Sequence, residues 1–330
     1  MPTSSSRRVT LEEVARMAGV SRATASRVVN GVTSVDESIR AAVLRAIEDS
    51  GYVPNLAARS LVTRRADAVA LVLPEERRML GDPFFGRVVS GVMTVTEPAG
   101  VHLVLAADTR SQVESDVRRG RLDGVILIHT DPLDPLPRLL VEGHFPVVLS
   151  SRPIQPLPIT YVDVNQTEGA ALAARHLLSR GCRHMATIAG PQHTSAGQDR
   201  LTGYRDALPH AEPIWVEGDF TRESGTAGMA ALLSRHPTLD GVFAASDLMA
   251  QGALAVLRAA GRAVPDDVAV VGFDDSSAAL ACEPPLTTVR QPVEDMAAEM
   301  ARLLLHQIDN PETPVKKVIF EPELIHRQSA

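Results

Sequence analysis

The chain contains few of the residues that mark secreted, membrane-bound or metal-binding proteins. Its 330 residues include only two cysteines, Cys182 and Cys282, and neither stands in a CxxC pair or near spaced histidines. We therefore expect reduced structural thiols, without a disulfide framework and without a metal site. No apolar run approaches the roughly 18 residues that a membrane-spanning helix needs. Because Met1 to Arg8 lack the apolar stretch of a secretory signal, we expect a cytoplasmic protein that has no membrane partner.

Motifs of the common enzyme classes are also missing. The sequence contains no GxGxxG, GxxxxGK, HExxH or GxSxG pattern, and its ten histidines are scattered along the chain. No spacing of serine, histidine and aspartate selects a catalytic group. We therefore expect no enzymatic activity and no cofactor.

The net charge of −7 conceals a division along the chain. Up to Arg65 there are 10 arginines and 6 acidic residues, a charge of +4, whereas the remainder carries 23 basic and 34 acidic residues, a charge of −11. A basic N-terminal region on an acidic body predicts that only this region contacts phosphate.

The N-terminal region reads as three short helices. Thr10 begins a capping box and thus a first helix, which Gly19 ends. Ser21 caps a second helix, and Asp36 caps a third that ends at Gly51. In the third helix Ile39, Val43, Leu44 and Ile47 form the predicted apolar stripe. Two helices joined by a turn that contains glycine are typical of a helix-turn-helix.

The second helix has the residues of a DNA-reading helix. Its N-terminal end would reach base edges in the major groove, and Arg22 and Ala23 occupy that end. Arg27 points the same way one turn later, while Thr24 and Ser26 can donate to phosphate. A plain solvated helix face is the alternative, but the caps, the turn and the local positive charge together favour DNA binding.

We call the three-helix N-terminal region the head. After it, the pattern of apolar residues changes twice. Residues 56–61 form a helical segment too short to be stable alone, and residues 63–67 form a polar linker. From Ala68 onward, β-branched runs alternate with helical patterns, which implies parallel sheets with right-handed crossovers. The predicted strands are 69–73, 101–106, 124–128, 147–149, 185–189, 241–244 and 268–272. The predicted helices between them are 85–97, 169–179, 248–260 and 293–305.

The head and hinge motifs resemble the LacI/GalR family of bacterial repressors. They are Val9-Thr10-Leu11-Glu12-Glu13-Val14-Ala15, Ala18-Gly19-Val20-Ser21, Ser26-Arg27-Val28-Val29-Asn30, Gly51-Tyr52-Val53-Pro54-Asn55 and Ala57-Ala58-Arg59-Ser60-Leu61. The resemblance adds Thr10, Ser21, Asn30, Asn55, Ala58 and Leu61 to the expected DNA-contacting residues. It also implies that the hinge helix folds on operator DNA and that Leu61 wedges into the minor groove.

Motifs of the body continue this resemblance to the end of the chain. They include Asp82-Pro83-Phe84-Phe85, Asp199-Arg200-Leu201-Thr202-Gly203-Tyr204, Ala245-Ser246-Asp247, Gly272-Phe273-Asp274-Asp275 and Pro285-Leu286-Thr287-Thr288. The implied fold is an all-α head, residues 1–55, a hinge helix and linker, residues 56–67, and an α/β body, residues 68–330. The body would be similar to periplasmic sugar-binding proteins, with two doubly wound parallel-sheet subdomains. The first would hold about 68–162 and 292–320, and the second about 163–291 and 321–330.

The resemblance also implies a ligand site between the subdomains. Arg200 would donate a fork of hydrogen bonds, Asp274 would accept from two hydroxyls, and Ser246 and Asp247 lie on the neighbouring loop. Phe220 and Phe85 would supply apolar walls, and His129 follows the third strand of the body. Two alternatives stay open: Phe84 or Phe85 lies in the core, and Asp274 or Asp275 caps the next helix. Ser246 also stands where some family members have asparagine, which leaves the pattern of hydroxyl contacts open.

Together these features predict a sequence-specific DNA-binding regulator, in the form of a repressor, controlled by a small effector. A sugar or sugar derivative is the expected effector, with a nucleobase or nucleoside as the alternative. A sugar-binding transport protein of the same body fold is the alternative function. The family resemblance implies a homodimer on a near-palindromic operator, because one head reads few base pairs and no leucine heptad follows the body.

Overall fold

The computed structural model describes residues 9–29, 34–52, 65–73, 81–106, 110–128, 132–208 and 213–330. Five expected contact residues lie outside these ranges: Asn30, Asn55, Ala58, Leu61 and His129. The chain divides into two compact units, Met1–Ala66 and Asp67–Ala330. Within the described ranges, no helix has the length and apolar character needed to cross a membrane.

Over residues 9–29 and 34–52, the first unit contains three helices, α1 (Leu11–Met17), α2 (Arg22–Val29) and α3 (Glu37–Ser50). The predicted capping box at Thr10 is present, and the side chain of Asp36 caps α3. The helices pack around a small core, and its fully buried members are Val14, Ala25 and Val43. Leu44 was expected in this core but is 52% exposed. The buried residues of α3 are Val43 and Ala46, three positions apart on one face, and Leu44 points about 100° away from Val43.

The described part of the second unit contains two six-stranded sheets. The first sheet has the order β2-β1-β3-β4-β5-β11 and is parallel throughout. Its strands are β1 (Ala68–Val72), β2 (His102–Ala106), β3 (Gly124–Leu127), β4 (Val147–Leu149), β5 (Thr160–Val164) and β11 (Lys317–Phe320). Alternate side chains face opposite layers, so Leu71 packs with one core cluster and Val72 with another.

The second sheet has the order β12-β10-β9-β8-β6-β7. Its strands are β6 (Met185–Ala189), β7 (Ile214–Glu217), β8 (Gly241–Ala244), β9 (Ala269–Asp274), β10 (Thr287–Arg290) and β12 (Glu323–Ile325). All pairs are parallel except β10 with β12, so the edge strand β12 departs from the predicted parallel pattern.

Helices cover the sheets in the manner of a doubly wound fold. They are α4 (Pro83–Thr96), α5 (Arg110–Arg118), α6 (Leu136–Glu142), α7 (Gln166–Ser179), α8 (Ser195–Asp206), α9 (Arg222–Arg235), α10 (Asp247–Ala259), α11 (Ser277–Leu280) and α12 (Val293–Asp309). Helix α12 packs against α4 and the first sheet, whereas α7 packs against α8 and the second sheet.

Within the described residues, the chain passes between the two sheets three times. It crosses from β5 to α7, returns from β10 to α12, and crosses again from β11 to β12. The crossing residues include Gln166 and Gln291, which are both buried. Each sheet thus takes strands from distant parts of the chain, and the space between the sheets is bounded by these crossings.

Candidate functional sites

The predicted DNA-reading residues lie on the exposed side of α2. Arg22, Ala23 and Arg27 are exposed, while Thr24 and Ser26 are half-buried. The Nε atom of Arg22 lies 2.6 Å from Oε1 of Glu12 on α1. Both side chains of this ion pair are more than half exposed, so DNA phosphate or a base edge can compete for the guanidinium.

Thr10 and Ser21 hold the ends of helices. The Thr10 hydroxyl accepts from the backbone N of Glu13 at 3.4 Å, and the Ser21 hydroxyl accepts from the backbone N of Thr24 at 3.1 Å. Each hydroxyl thus satisfies one of the free N–H groups at a helix start. Their contacts with DNA stay a prediction.

A cleft in the second unit contains the principal predicted ligand residues. Its volume is about 510 Å³ including the open space at its mouth, within the usual range for small-molecule sites. The lining residues come from both sheets and lie at the carboxyl ends of strands or the starts of helices, where open α/β sheets bind ligands. They are Asp82, Phe84, Ser150, Ser151, Gln166, Ala196, Arg200, Phe220, Asp274, Gln291 and Met296.

Among the described residues that line this cleft, Arg200 is the only cation. It lies on α8 and is 4% exposed. Its Nε donates to Oε1 of Gln166 at 2.8 Å, and its Nη1 donates to the carbonyl of Ala245 at 2.5 Å. The guanidinium lies 3.6 Å from the ring centre of Phe273, a cation–π contact. Burial lowers the pKa of Arg200, and nearby carboxylates, Asp274 foremost, oppose that shift.

Asp274 faces Arg200 across the floor of the cleft. Its Oδ1 lies 3.5 Å from Nη1 of Arg200 and accepts from Nε2 of Gln291 at 2.6 Å. Burial raises the pKa of Asp274 to about 7, although the charge of Arg200 lowers it. The φ angle of Asp274 is +110°, which is costly for a residue other than glycine and typical of functional positions.

Two phenylalanines form apolar walls of the cleft. Phe220 lines it as predicted, in a left-handed backbone conformation with φ of +66°. On α4, however, the lining ring belongs to Phe84. Phe85 is 3% exposed and packs into the core between α4 and the first sheet. The expectation for Phe85 is therefore corrected, because adjacent helical residues point about 100° apart.

Comparisons with known proteins agree with both units. Residues 10–55 match the family described as bacterial regulatory proteins, lacI family, and residues 174–330 match the periplasmic binding protein-like domain. Over 336 residues the chain is 47% identical to the HTH-type transcriptional regulator CelR of Thermobifida fusca, covering 98% of each protein. The chain belongs to the LacI/GalR family of bacterial transcriptional regulators.

Two solved structures of the LacI/GalR family resemble this member over its whole length. The CelR–cellobiose complex is 43% identical, with a TM-score of 0.77, covering 98% of this chain and 100% of that one. The Lac repressor dimer bound to operator and the anti-inducer ONPF is 25% identical, with a TM-score of 0.84, covering 98% and 99%. The helix-turn-helix head and the two-sheet body are therefore the shared architecture of these regulators.

Ser246 and Asp247 of this LacI/GalR member do not line the cleft in the structure. The Ser246 hydroxyl caps α10, accepting from the backbone N of Met249 at 3.2 Å, and it donates to the carbonyl of Phe220 at 3.2 Å. Asp247 is fully buried, and its carboxylate accepts from the Thr288 hydroxyl at 2.6 Å and the Ser276 backbone N at 2.7 Å. The polar atoms of both side chains have hydrogen-bond partners within the protein. Both residues therefore stabilise the structure next to the cleft and do not line it.

The alternative reading of Asp274 and Asp275 as helix caps is wrong for this regulator. Ser276 caps the short helix α11, with its hydroxyl accepting from the backbone N of Ala278. Asp275 instead forms ion pairs with Arg327 and Arg290, at 2.5 and 2.7 Å. The two adjacent aspartates thus have separate roles. Asp274 lines the cleft, whereas Asp275 forms ion pairs with residues on and after the neighbouring strands.

Several lining residues were missed by sequence reasoning. Ser150 and Ser151 follow β4 directly, so polar residues after a predicted strand were an available signal. Asp82 opens α4, and its Oδ1 accepts from the backbone N of Phe84 at 2.9 Å, so it reads as a simple cap. Gln166 and Gln291 gave no local signal, because only the crossings between the sheets bring them to the cleft.

Proposed function

We propose that this LacI/GalR member is a repressor that binds operator DNA as a homodimer and is controlled by a sugar in the cleft. One observation supports the sugar above all. Arg200, Asp274, Phe84 and Phe220 converge on a single cleft, although they are far apart in the sequence. A cation, a carboxylate and two aromatic faces together match the hydroxyl edges and apolar faces of a sugar ring.

For the effector we propose a neutral, β-linked glucose disaccharide, with cellobiose as the first compound to test. The likeness to a CelR–cellobiose complex over the full chain supports this choice. The cleft adds support, since two aromatic rings in its lining suit an elongated sugar whose faces are apolar and whose edges carry hydroxyls. We reserve nucleobases and nucleosides as comparison compounds.

The head would place α2 in the major groove of the operator. Arg22 and Arg27 would contact base edges, with Ala23, Thr24 and Ser26 close to the same groove. The basic charge of the head supports this arrangement, as does the match of residues 10–55 to the DNA-binding family. The regulator would act in the bacterial cytoplasm, where its operator is found.

We propose binding without catalysis in the cleft. Asp82 and Asp274 would place two carboxyl groups beside the sugar, the kind of pair that glycosidases use. Here Asp82 caps α4 and Asp274 pairs with Gln291 and Arg200, which suits fixed recognition. Incubating the protein with cellobiose should leave the disaccharide intact, and release of glucose would contradict this part of the proposal.

The test measures sugar binding and DNA binding in one protein. Calorimetry should detect binding of cellobiose, with much weaker binding of its α-linked isomer maltose and of ribose. Fluorescence anisotropy with operator DNA should then show that cellobiose changes operator affinity about 5- to 150-fold, the usual range of allosteric coupling. The direction of the change distinguishes induction from co-repression.

Two variants separate the two activities. Asp274→Ala should lose sugar binding and still bind operator, whereas Arg22→Ala should keep sugar binding and lose about 1–3 kcal/mol of base discrimination. If Arg22→Ala weakened every DNA sequence equally, Arg22 would contact phosphate alone. If Asp274→Ala kept its full response to cellobiose, the effector would bind elsewhere.

A further inference from the structure

Arg152 joins the two sides of the cleft without lining it. It lies in the segment after β4 of the first sheet, and its guanidinium reaches Asp199 on α8, which belongs to the second sheet's layer. The contact is bidentate: Nε donates to Oδ2 at 2.8 Å and Nη2 donates to Oδ1 at 2.6 Å. Such paired, charge-assisted bonds restrict geometry more strongly than a single ion pair does.

The backbone of Arg152 belongs to a second connection. Its N–H donates to Oδ2 of Asp163 on β5 at 3.0 Å, and Oδ1 of Asp163 accepts from Nε2 of Gln166 at 2.9 Å. The other end of the same amide, Oε1 of Gln166, accepts from Nε of Arg200 at 2.8 Å. Asp163 thereby orients the Gln166 amide, so that its oxygen faces the arginine of the cleft.

The two connections end on neighbouring residues of one helix. Asp199 is held by the side chain of Arg152, and Arg200 is held by Gln166, which Asp163 orients. Asp163 and Gln166 are both buried, so the hydrogen bond between them is protected from water. The first sheet thus controls the position of the first turns of α8, on which the cleft arginine stands.

From this geometry we infer that Arg152 is a positioning residue for the effector, acting on Arg200 through Asp199 and the orientation of α8. The inference rests on the proposed function of the cleft. Neither Arg152 nor Asp199 lines the cleft, so neither needs to touch the sugar. A bidentate ion pair requires a narrow range of separations between its partners, so this pair favours the sheet geometry seen here, in which Arg200 and the first sheet border the same cleft.

The experiment compares Arg152→Ala, Asp199→Ala and the double variant in the full-length protein, with cellobiose as the ligand. Each single variant should weaken cellobiose binding about five- to tenfold, mainly through faster dissociation. The double variant should be no weaker than the singles, because removing either partner already breaks the pair. Arg152→Lys should restore part of the affinity.

Arg118→Ala is the matched control. Arg118 pairs with Glu114 within the single helix α5, so its ion pair does not connect the two sheets. This variant should bind cellobiose as the wild type does. The inference is overturned if Arg152→Ala binds cellobiose within twofold of the wild type, or if the single effects multiply in the double variant.

A second measurement decides the matter if cellobiose does not bind the wild-type protein, which would count against the proposed effector alone. Hydrogen–deuterium exchange of the ligand-free protein should then rise in residues 150–153 and 195–200 of Arg152→Ala and Asp199→Ala. Arg118→Ala should leave both segments unchanged. Equal exchange in all four proteins would show that the ion pair does not hold these segments together, and the inference would fail.

Discussion

Asp274 combines an unusual backbone with a buried carboxyl group. Its φ of +110° turns the chain at the end of β9, and its carboxyl oxygen lies 3.5 Å from Arg200. Its backbone carbonyl also accepts from Nη1 of Arg87 on α4 at 3.1 Å. One residue therefore contacts groups from both sheets' layers, and its protonation should affect ligand binding and stability together.

Sugar affinity should depend on the ionisation of Asp274. Burial raises its pKa to about 7. The ionised carboxylate accepts sugar hydroxyls at both oxygens, whereas the protonated form turns one of these oxygens into a donor. Cellobiose affinity should therefore rise with pH between about 6 and 8, by at most about tenfold per pH unit, and then level off. Asp274→Asn should bind weakly with a flat profile. Calorimetry across this range tests the expectation, which a flat wild-type profile would contradict.

The raised pKa of Asp274 should have the opposite effect on the stability of the fold. Because the folded-state pKa lies above the usual value of 3.8, the fold favours the protonated form. The contribution of Asp274 to the free energy of unfolding should fall as pH rises from about 4 to about 7. Thermal melts should show this fall in the wild type and a smaller one in Asp274→Asn.

Phe84 and Phe85 should respond to truncation in different ways. Phe84→Ala removes a wall of the cleft, so cellobiose binding should weaken about two- to tenfold with little change in stability. Phe85→Ala leaves a cavity in the core and should lower the free energy of unfolding by about 3–5 kcal/mol. Calorimetry measures cellobiose binding and urea unfolding measures stability in both variants. If Phe84→Ala lowered stability and Phe85→Ala weakened binding, the two roles would be exchanged.

At the scale of elements, the packing of α7 against α8 determines where Arg200 lies. Gly203 on α8 sits against the backbone of α7, and a Cβ added there would lie 1.9 Å from the carbonyl oxygen of Thr167. The absence of a side chain lets the two helices approach closely. This approach brings Arg200 within hydrogen-bond distance of Gln166, the first residue of α7.

Gly203→Ala and Gly86→Ala make a matched pair of tests. At Gly203 the new methyl group clashes with backbone, so the free energy of unfolding should fall by about 1–3 kcal/mol and sugar binding should weaken. Gly86 is exposed on α4, and nothing lies within 4 Å of an added Cβ. Alanine there should stabilise the protein by about 0.5–1 kcal/mol. Urea unfolding measures both, and equal effects would refute the packing argument.

At the scale of the whole molecule, the charge distribution is consistent with DNA binding by the head. The head is basic and the body is acidic, so we expect phosphate contacts at the head alone. We expect a dimer in solution, because each head reads too few base pairs for specificity alone. The operator should contain two half-sites related by the dimer axis, about one helical turn apart. Analytical ultracentrifugation and footprinting test these points, and a stable tetramer would contradict them.

Local features of the sequence predicted most of the secondary structure. The caps at Thr10 and Asp36 and the turn at Gly19 predicted the three head helices, because helix ends depend on residues within one turn. The alternation of β-branched runs with helical periods predicted the doubly wound body for the same local reason. The spacing of motifs along the chain then indicated the family, which the full-length relatives confirm.

The make-up of the cleft was decided by the tertiary structure. Sequence reasoning placed Phe85 at the site and Ser246 and Asp247 beside it, whereas packing buries all three and turns Phe84 to the cavity. Gln166 and Gln291 carry no local signal, because each reaches the cleft only through a crossing between the sheets. Sequence alone determined which elements form, since their rules act over a few residues. Only strand order and side-chain packing decided which residues meet, since those depend on contacts between residues far apart in the chain, such as Arg87 and Asp274.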